Sequence, residues 1–110
     1  MGVIAKYNYE VQPGRAPDFF ARLRAAAAPQ FASPVMPTSG RLLRSTVPGP
    51  DQNRYALLLE YPDMAAYGAR NTWENANTAW RALFDETPDA PQRLVSVELL
   101  SDVESSWATG

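Results

Sequence analysis

Apolar and polar residues alternate along the first segment of the chain, Val3–Val11. Valine, alanine and tyrosine occupy the odd positions, whereas Ile4, Lys6, Asn8 and Glu10 occupy the even ones. A period of two residues predicts a β-strand with one apolar face and one more polar face.

A stripe of apolar residues at helical spacing follows the turn at positions 12–15, and its members are Phe19, Phe20, Leu23, Ala26 and Ala27. Pro17 suits the first turn of a helix, because proline needs no backbone hydrogen-bond partner there. Pro29 should kink or end this helix. Residues 33–40 contain two prolines and are predicted to form a loop.

Three more strand-like runs occupy the rest of the chain, at 41–47, 55–61 and 93–100. A turn at 48–53, rich in proline, glycine and asparagine, should join the first two as a hairpin. Between the last two lies a helical region at 64–84, which Asp63 should cap and which an asparagine-rich segment at 71–77 should interrupt. The predicted order is therefore β-α-β-β-α-β.

This order is typical of the α+β ferredoxin-like fold, a four-stranded antiparallel sheet with two helices on one face. Residues 1–100 should form that single domain, and residues 101–110 a polar C-terminal tail. The second face of the sheet would then carry apolar area that must meet water, a ligand or another subunit. A homodimer is the economical solution.

Composition restricts the functions that this domain can have. With 45% hydrophobic residues and a net charge of −2, the 110-residue chain does not resemble a nucleic-acid binder, which needs a basic face. No run of about 18 apolar residues could span a membrane, and no leader is apparent, so we expect a cytoplasmic protein.

The chain contains neither cysteine nor histidine. This excludes disulfides, thiolate nucleophiles and histidine bases, and it removes the ligands of most transition-metal sites. We therefore expect no metal and no bound cofactor. Acid–base chemistry would fall to carboxylates, lysine, tyrosine or water.

Carboxylates on the predicted strands are the first candidates for catalysis. Flanking strands could bring the polar groups of the sheet together, and a carboxylate in a partly desolvated cavity can act as a general acid or base. The catalytic candidates are Asn8, Glu10, Glu60 and Glu98. The alternative is that this face is simply hydrated or forms ion pairs in a dimer.

A second group of residues could bind a flat substrate through aromatic rings and hydrogen bonds. The candidates are Tyr7, Tyr9, Arg44, Tyr67, Asn71 and Trp73. For the tyrosines the alternative is a role in the core, and for the asparagine a role in capping or turns.

Three passages of the sequence resemble one superfamily: the opening strand with its turn (YNYEVQPGR), the strand-to-helix passage (LLLEYPDMAAY) and the aromatic turn (NTAWRALF). Together they are similar to dimeric α+β barrel proteins, especially the NIPSNAP-like and antibiotic-biosynthesis-monooxygenase-like branches. The resemblance covers about residues 3–100. It implies a homodimer in which each subunit keeps a small-molecule cavity between sheet and helices.

The resemblance also implies a function. It suggests a small-molecule enzyme of bacterial secondary metabolism that acts on an aromatic or polyketide-like substrate, by cofactor-free oxygenation or by cyclisation or isomerisation. The alternative is a non-catalytic NIPSNAP-like dimer that binds a ligand or partner. Haem degraders of this superfamily use a histidine, which this chain lacks.

Overall fold

Four antiparallel strands form one sheet in the computed structural model, which describes residues 2–33, 35–47 and 53–103. The strands are β1 (Val3–Val11), β2 (Ser39–Arg44), β3 (Arg54–Tyr61) and β4 (Gln92–Leu100). Their order across the sheet is β2-β3-β1-β4. The predicted ferredoxin-like α+β fold is therefore confirmed.

The helices are α1 (Ala16–Ala26), α2 (Met64–Ala76) and α3 (Thr78–Leu83), and a short 3-10 turn occupies Pro29–Phe31. Asp63 caps α2 as predicted, since its Oδ1 accepts a hydrogen bond from the Ala66 N–H at 2.8 Å. The predicted interruption at 71–77 is wrong in extent, because α2 continues through most of that segment. The break is confined to Asn77, whose Oδ1 accepts from the Trp80 N–H at 2.9 Å and caps α3.

Strand β2 begins and ends earlier than its predicted range of 41–47. Ser39 pairs with Glu60 and Arg44 with Tyr55. The first two residues of the strand therefore lie in the segment that was predicted to be a loop. The predicted hairpin turn falls largely on residues 48–52, and most of the predicted tail on residues 104–110, which lie outside the described residues. The domain boundary at residue 100 stays a prediction, and β4 ends there.

The odd positions of β1 face the helices and form the core, as their alternation predicts. Tyr9, Val11 and Phe19 form a buried cluster, with the rings of Tyr9 and Phe19 5.0 Å apart. Tyr55 of β3 joins them, its ring 5.8 Å from that of Phe19. These contacts fix α1 against the centre of the sheet.

One residue of β4 has no counterpart on β1. Asn8 pairs with Ser96 whereas Tyr9 pairs with Leu94, which leaves Val95 as the additional residue of a bulge. The bulge directs Leu94 to the same side as Tyr9, toward the helices.

Within the part of the chain that the structure describes, no helix is long and apolar enough to cross a membrane. The cytoplasmic location stays a prediction.

Candidate active site

A cavity of about 460 Å³ lies between the helix-facing side of the sheet and the helices. Tyr7 and Tyr9 of β1 contribute to its floor, together with Leu57 and Leu59 of β3. These side chains share a face because Tyr7 pairs directly with Leu57, and Leu59 lies two positions away on the same strand. Most of the lining is apolar, as expected for a pocket that binds small organic molecules.

The helices and the loop before β2 complete the wall. Leu23 and Ala26 come from α1, Trp80 from α3, and Met36 from the loop. The chain therefore builds the cavity from segments throughout its length.

Arg70 is the most buried charged residue of this wall, with 2% of its surface exposed. Its guanidinium carbon lies 4.2 Å from the centre of the Trp73 ring and 4.9 Å from that of Trp80. Aromatic faces attract a cation, and the attraction increases where water is excluded. The two tryptophans thus help to hold a positive charge at the edge of an apolar cavity.

Hydrogen bonds fix this guanidinium from two directions. Its Nε donates to Glu74 Oε2 at 2.9 Å, one helical turn along α2. Its Nη1 lies within hydrogen-bonding distance of the carbonyl oxygen of Phe31 at 2.9 Å, Ser33 Oγ at 3.1 Å and Met36 Sδ at 3.2 Å. Arg70 therefore connects α2 to the loop that borders the cavity.

Glu74 is the carboxylate of the cavity, and only 15% of its side chain is exposed. Burial raises the pKa of Glu74, because desolvation disfavours the charged form. The hydrogen bond and the positive charge of Arg70 act in the opposite direction but do not cancel the effect. The result is a carboxylate that accepts a proton more readily than one in water.

Three tyrosines near Glu74 have raised pKa values, chiefly because burial disfavours the phenolate. The pKa of Tyr7 is raised above its usual value of 10.0, and the pKa values of Tyr9 and Tyr61 are raised to about 12. The negative charge of Glu74 contributes to all three shifts. These hydroxyls are therefore protonated at neutral pH and are hydrogen-bond donors.

The four predicted catalytic residues lie away from this cavity. Asn8, Glu10, Glu60 and Glu98 occupy the opposite face of the sheet, which no described helix covers. Asn8 and Glu98 do meet, since Asn8 Nδ2 donates to Glu98 Oε1 at 2.9 Å. Lys6 Nζ lies 3.7 Å from the same oxygen.

The other two carboxylates of this set do not join them. Glu60 pairs across from Ile4, six residues along β1 from Glu10, which is a distance of about 20 Å in a strand. Glu10 forms an ion pair with Arg93 at 3.1 Å, and Glu60 accepts a hydrogen bond from Ser39 at 3.3 Å. The three carboxylates that neighbouring strands could have brought together therefore lie apart, and the catalytic roles stay predictions.

Of the predicted binding residues, Tyr7 and Tyr9 line the cavity. The ring of Trp73 packs against the guanidinium of Arg70. Tyr67 packs edge-on against Tyr61, with ring centres 5.6 Å apart. Asn71 is exposed on α2.

Arg44 lies elsewhere, at the end of β2, where it lines a groove together with Asn8 and Glu98. The pairing of Arg70 with Glu74 was not predicted from the sequence. Its signal was an arginine and a glutamate four residues apart on a helix, with tryptophans at 73 and 80.

Solved structures with a similar fold are known, whereas sequence comparisons find no match. No family model matches the chain, and no curated protein matches it. A candidate antibiotic biosynthesis monooxygenase from Bordetella bronchiseptica has a similar structure, with a TM-score of 0.66 and 23% identity over 94% of this chain and 98% of that one.

Two further solved structures are similar over nearly their whole length. The cofactor-independent oxygenase SnoaB from Streptomyces nogalater, solved in a mutant form, has a TM-score of 0.62 and 18% identity over 96% of each chain. The heme-degrader MhuD from Mycobacterium tuberculosis, with two hemes in its active site, has a TM-score of 0.62 and 22% identity over 94% of this chain and 97% of that one. The chain thus has the ferredoxin-like fold of antibiotic-biosynthesis-monooxygenase-like proteins.

The cavity residues do not fit a haem iron well. The chain has no histidine or cysteine to serve as an axial ligand. Tyr7 and Tyr9 line the cavity, but their raised pKa values disfavour the phenolate that would bind iron. The described residues also contain no cluster of three or more histidine, cysteine, aspartate or glutamate side chains that could hold a metal ion.

Proposed function

We propose that this protein is a small-molecule enzyme that binds a flat, aromatic or polyketide-like substrate in the cavity between sheet and helices. One observation carries the proposal: an apolar cavity of about 460 Å³ has a buried arginine–glutamate pair in its wall. Apolar walls with few, well-placed polar groups are typical of substrate sites. A buried carboxylate with a raised pKa is typical of an acid–base catalyst.

The reaction that we favour is oxygenation without a bound cofactor. In such a reaction the substrate itself supplies the electrons. A CH2 group next to aromatic rings reacts with O2, becomes a carbonyl, and releases the second oxygen atom as water. A structural neighbour, SnoaB, is a cofactor-independent oxygenase, which supports this choice.

The test is to incubate the protein with tricyclic aromatic ketones that carry an acidic CH2 group, while oxygen uptake and product mass are measured. We expect consumption of one O2 per substrate and a product that has gained one oxygen and lost two hydrogens. A rearranged product of unchanged mass would indicate cyclisation or isomerisation instead. Saturable binding without turnover would support the alternative, a non-catalytic ligand-binding protein.

We also propose that the protein is a homodimer that covers the open face of the sheet. That face exposes apolar side chains, among them Leu43 at 37% and Val95 at 48% of their surface. Exposed apolar area of this kind is typical of interfaces between subunits. Contact with a second copy of the chain would remove these apolar side chains from water.

A further inference from the structure

We propose that the substrate carries an ionisable oxygen, a phenol or an enol, and that Arg70 binds the resulting oxyanion while Glu74 takes its proton. This inference rests on the proposed function, because it assigns the chemistry of the ligand in the same cavity. It assigns catalytic roles to Arg70 and Glu74, neither of which is among the candidates predicted on the strands.

One nitrogen of the Arg70 guanidinium has no hydrogen-bond acceptor among the described residues. Nε is committed to Glu74, and Nη1 faces the loop before β2. No described residue accepts a hydrogen bond from Nη2. Arg70 lines the cavity, and in this proposal Nη2 is the nitrogen that donates to the bound ligand.

One oxygen of the Glu74 carboxylate has no hydrogen-bond donor among the described residues. Oε2 accepts from Arg70, whereas Oε1 accepts no hydrogen bond from a described residue. Glu74 also lines the cavity. A base and an anion site therefore stand side by side, held in register by their spacing of four residues on α2.

The charge balance of the pair favours an acidic substrate. Before binding, the positive guanidinium and the negative carboxylate compensate each other. When a phenol or enol binds, its O–H bond breaks, the electron pair stays on the oxygen, and the proton goes to Glu74 Oε1. The oxyanion then compensates Arg70, so the buried site keeps the same net charge throughout and avoids an unpaired buried ion.

The surroundings strengthen this exchange. The cation is enclosed by two tryptophan rings and apolar walls, where an ionic hydrogen bond is stronger than in water. An enolate or phenolate held there is electron-rich, which is the state in which an aromatic substrate reacts with O2. The remaining wall accepts the flat apolar part of the molecule.

The test uses two probes of the same shape, a nitronaphthol and its methyl ether. The phenol and phenolate forms of the nitronaphthol absorb at different wavelengths, so the spectrum reports the state of the bound oxygen. With the unmodified protein, at a pH below the probe's own pKa, we expect the nitronaphthol to bind as phenolate. Its affinity should exceed that of the methyl ether by about tenfold or more, as for a hydrogen bond to a charged group.

Two variants separate the roles. Glu74→Gln keeps an acceptor for Arg70 Nε but removes the base, so turnover should be lost while added phenolate binds at least as tightly. Arg70→Gln should lose the preference for the nitronaphthol over the ether. Arg81→Gln, at an exposed arginine of α3, is the control and should change neither property.

The outcomes distinguish the two proposals. If both probes bind with equal affinity and the nitronaphthol stays protonated, the assignment of Arg70 and Glu74 is wrong and the cavity still binds flat ligands. If neither probe binds, the proposed function fails as well. Should Arg70→Gln not fold, the spectrum of the bound nitronaphthol and the Glu74→Gln variant still decide the question.

Discussion

The guanidinium of Arg70 stacks on the ring of Trp73 at 4.2 Å, one helical turn away on α2. Trp73 does not line the cavity, so its contact with substrate would be indirect. Its ring instead covers a charge that is almost completely buried. Trp73 was predicted from the sequence to contact the substrate. In the structure it instead supports Arg70, which lines the cavity and can contact the substrate.

The first prediction concerns this support. Trp73→Ala should lower the free energy of unfolding by about 2–4 kcal/mol, because it removes a large half-buried ring and its attraction for Arg70. Trp73→Phe keeps an aromatic face and should cost less than half as much. Urea unfolding followed by circular dichroism measures both. Equal losses for the two variants would mean that the cation–ring contact contributes little.

The second prediction concerns the helix cap at the break between α2 and α3. Asn77→Ala removes the acceptor of the Trp80 N–H and should cost about 1 kcal/mol of unfolding free energy. Asn75→Ala, at an exposed position within α2, should cost nothing or stabilise slightly, since alanine favours helix interiors. Thermal unfolding of the two variants provides the comparison. The idea fails if Asn75→Ala is the more harmful change.

The third prediction concerns pH. The folded pKa of Glu74 lies above its usual value of 4.5, so the unfolded chain loses this proton first as the pH rises. The contribution of Glu74 to the unfolding free energy should therefore decrease from about pH 4.5 up to the folded pKa and then level off. Unfolding free energies of the unmodified protein and of Glu74→Gln, measured from pH 4 to 8, isolate this contribution. A difference that is flat, or that increases with pH, would contradict the role of burial.

The fourth prediction concerns access to the cavity. Ala27 lines it and is exposed, so Ala27→Phe should place a ring in the cavity while the fold is retained. Ligand affinity should decrease by about tenfold or more, because the added ring competes for apolar area worth about 2 kcal/mol. Ala21→Phe, at an exposed position of α1 outside the cavity, is the matched control. Quenching of tryptophan fluorescence measures both affinities, and equal binding would place the ligand elsewhere.

The fifth prediction concerns the open face. Val95→Glu puts a charge into the apolar area at the bulge and should convert the dimer into monomers. Met64→Glu, at an exposed position in the first turn of α2, should leave the dimer intact. Sedimentation velocity gives the masses. An unmodified protein that is monomeric at high micromolar concentration would rule out the dimer.

Sequence patterns predicted the elements correctly where one face of a strand or helix is buried and the other is exposed. Strand β1 has the predicted bounds because its alternation reflects a core on one face, and Asp63 caps α2 as its position indicated. Strand β2 was displaced because all six of its residues are exposed, so no alternation marks its ends. The break at 71–77 was overestimated because asparagine tolerates helix interiors that packing stabilises.

The site was harder to predict than the fold for a physical reason. Carboxylates on strands were conspicuous, but the register places them on the face away from the cavity. Glu74 was overlooked because an arginine and a glutamate four residues apart usually form a solvated surface pair. Only the packing of Trp80 and the loop before β2 over α2 makes this pair buried, and that packing depends on contacts distant in sequence.

The hydrogen bonds from Arg70 to Phe31 and Ser33 have a consequence for how the molecule opens. Releasing the loop would leave Nη1 of a buried guanidinium without its acceptors, while Nε keeps its bond to Glu74. A buried donor without an acceptor costs about 1–3 kcal/mol, and more when the group is charged. The loop and the centre of α2 should therefore unfold together, as one cooperative unit. In native-state hydrogen exchange, the amides around Phe31 and those around Arg70 should share a single opening free energy, although 39 positions separate the two residues.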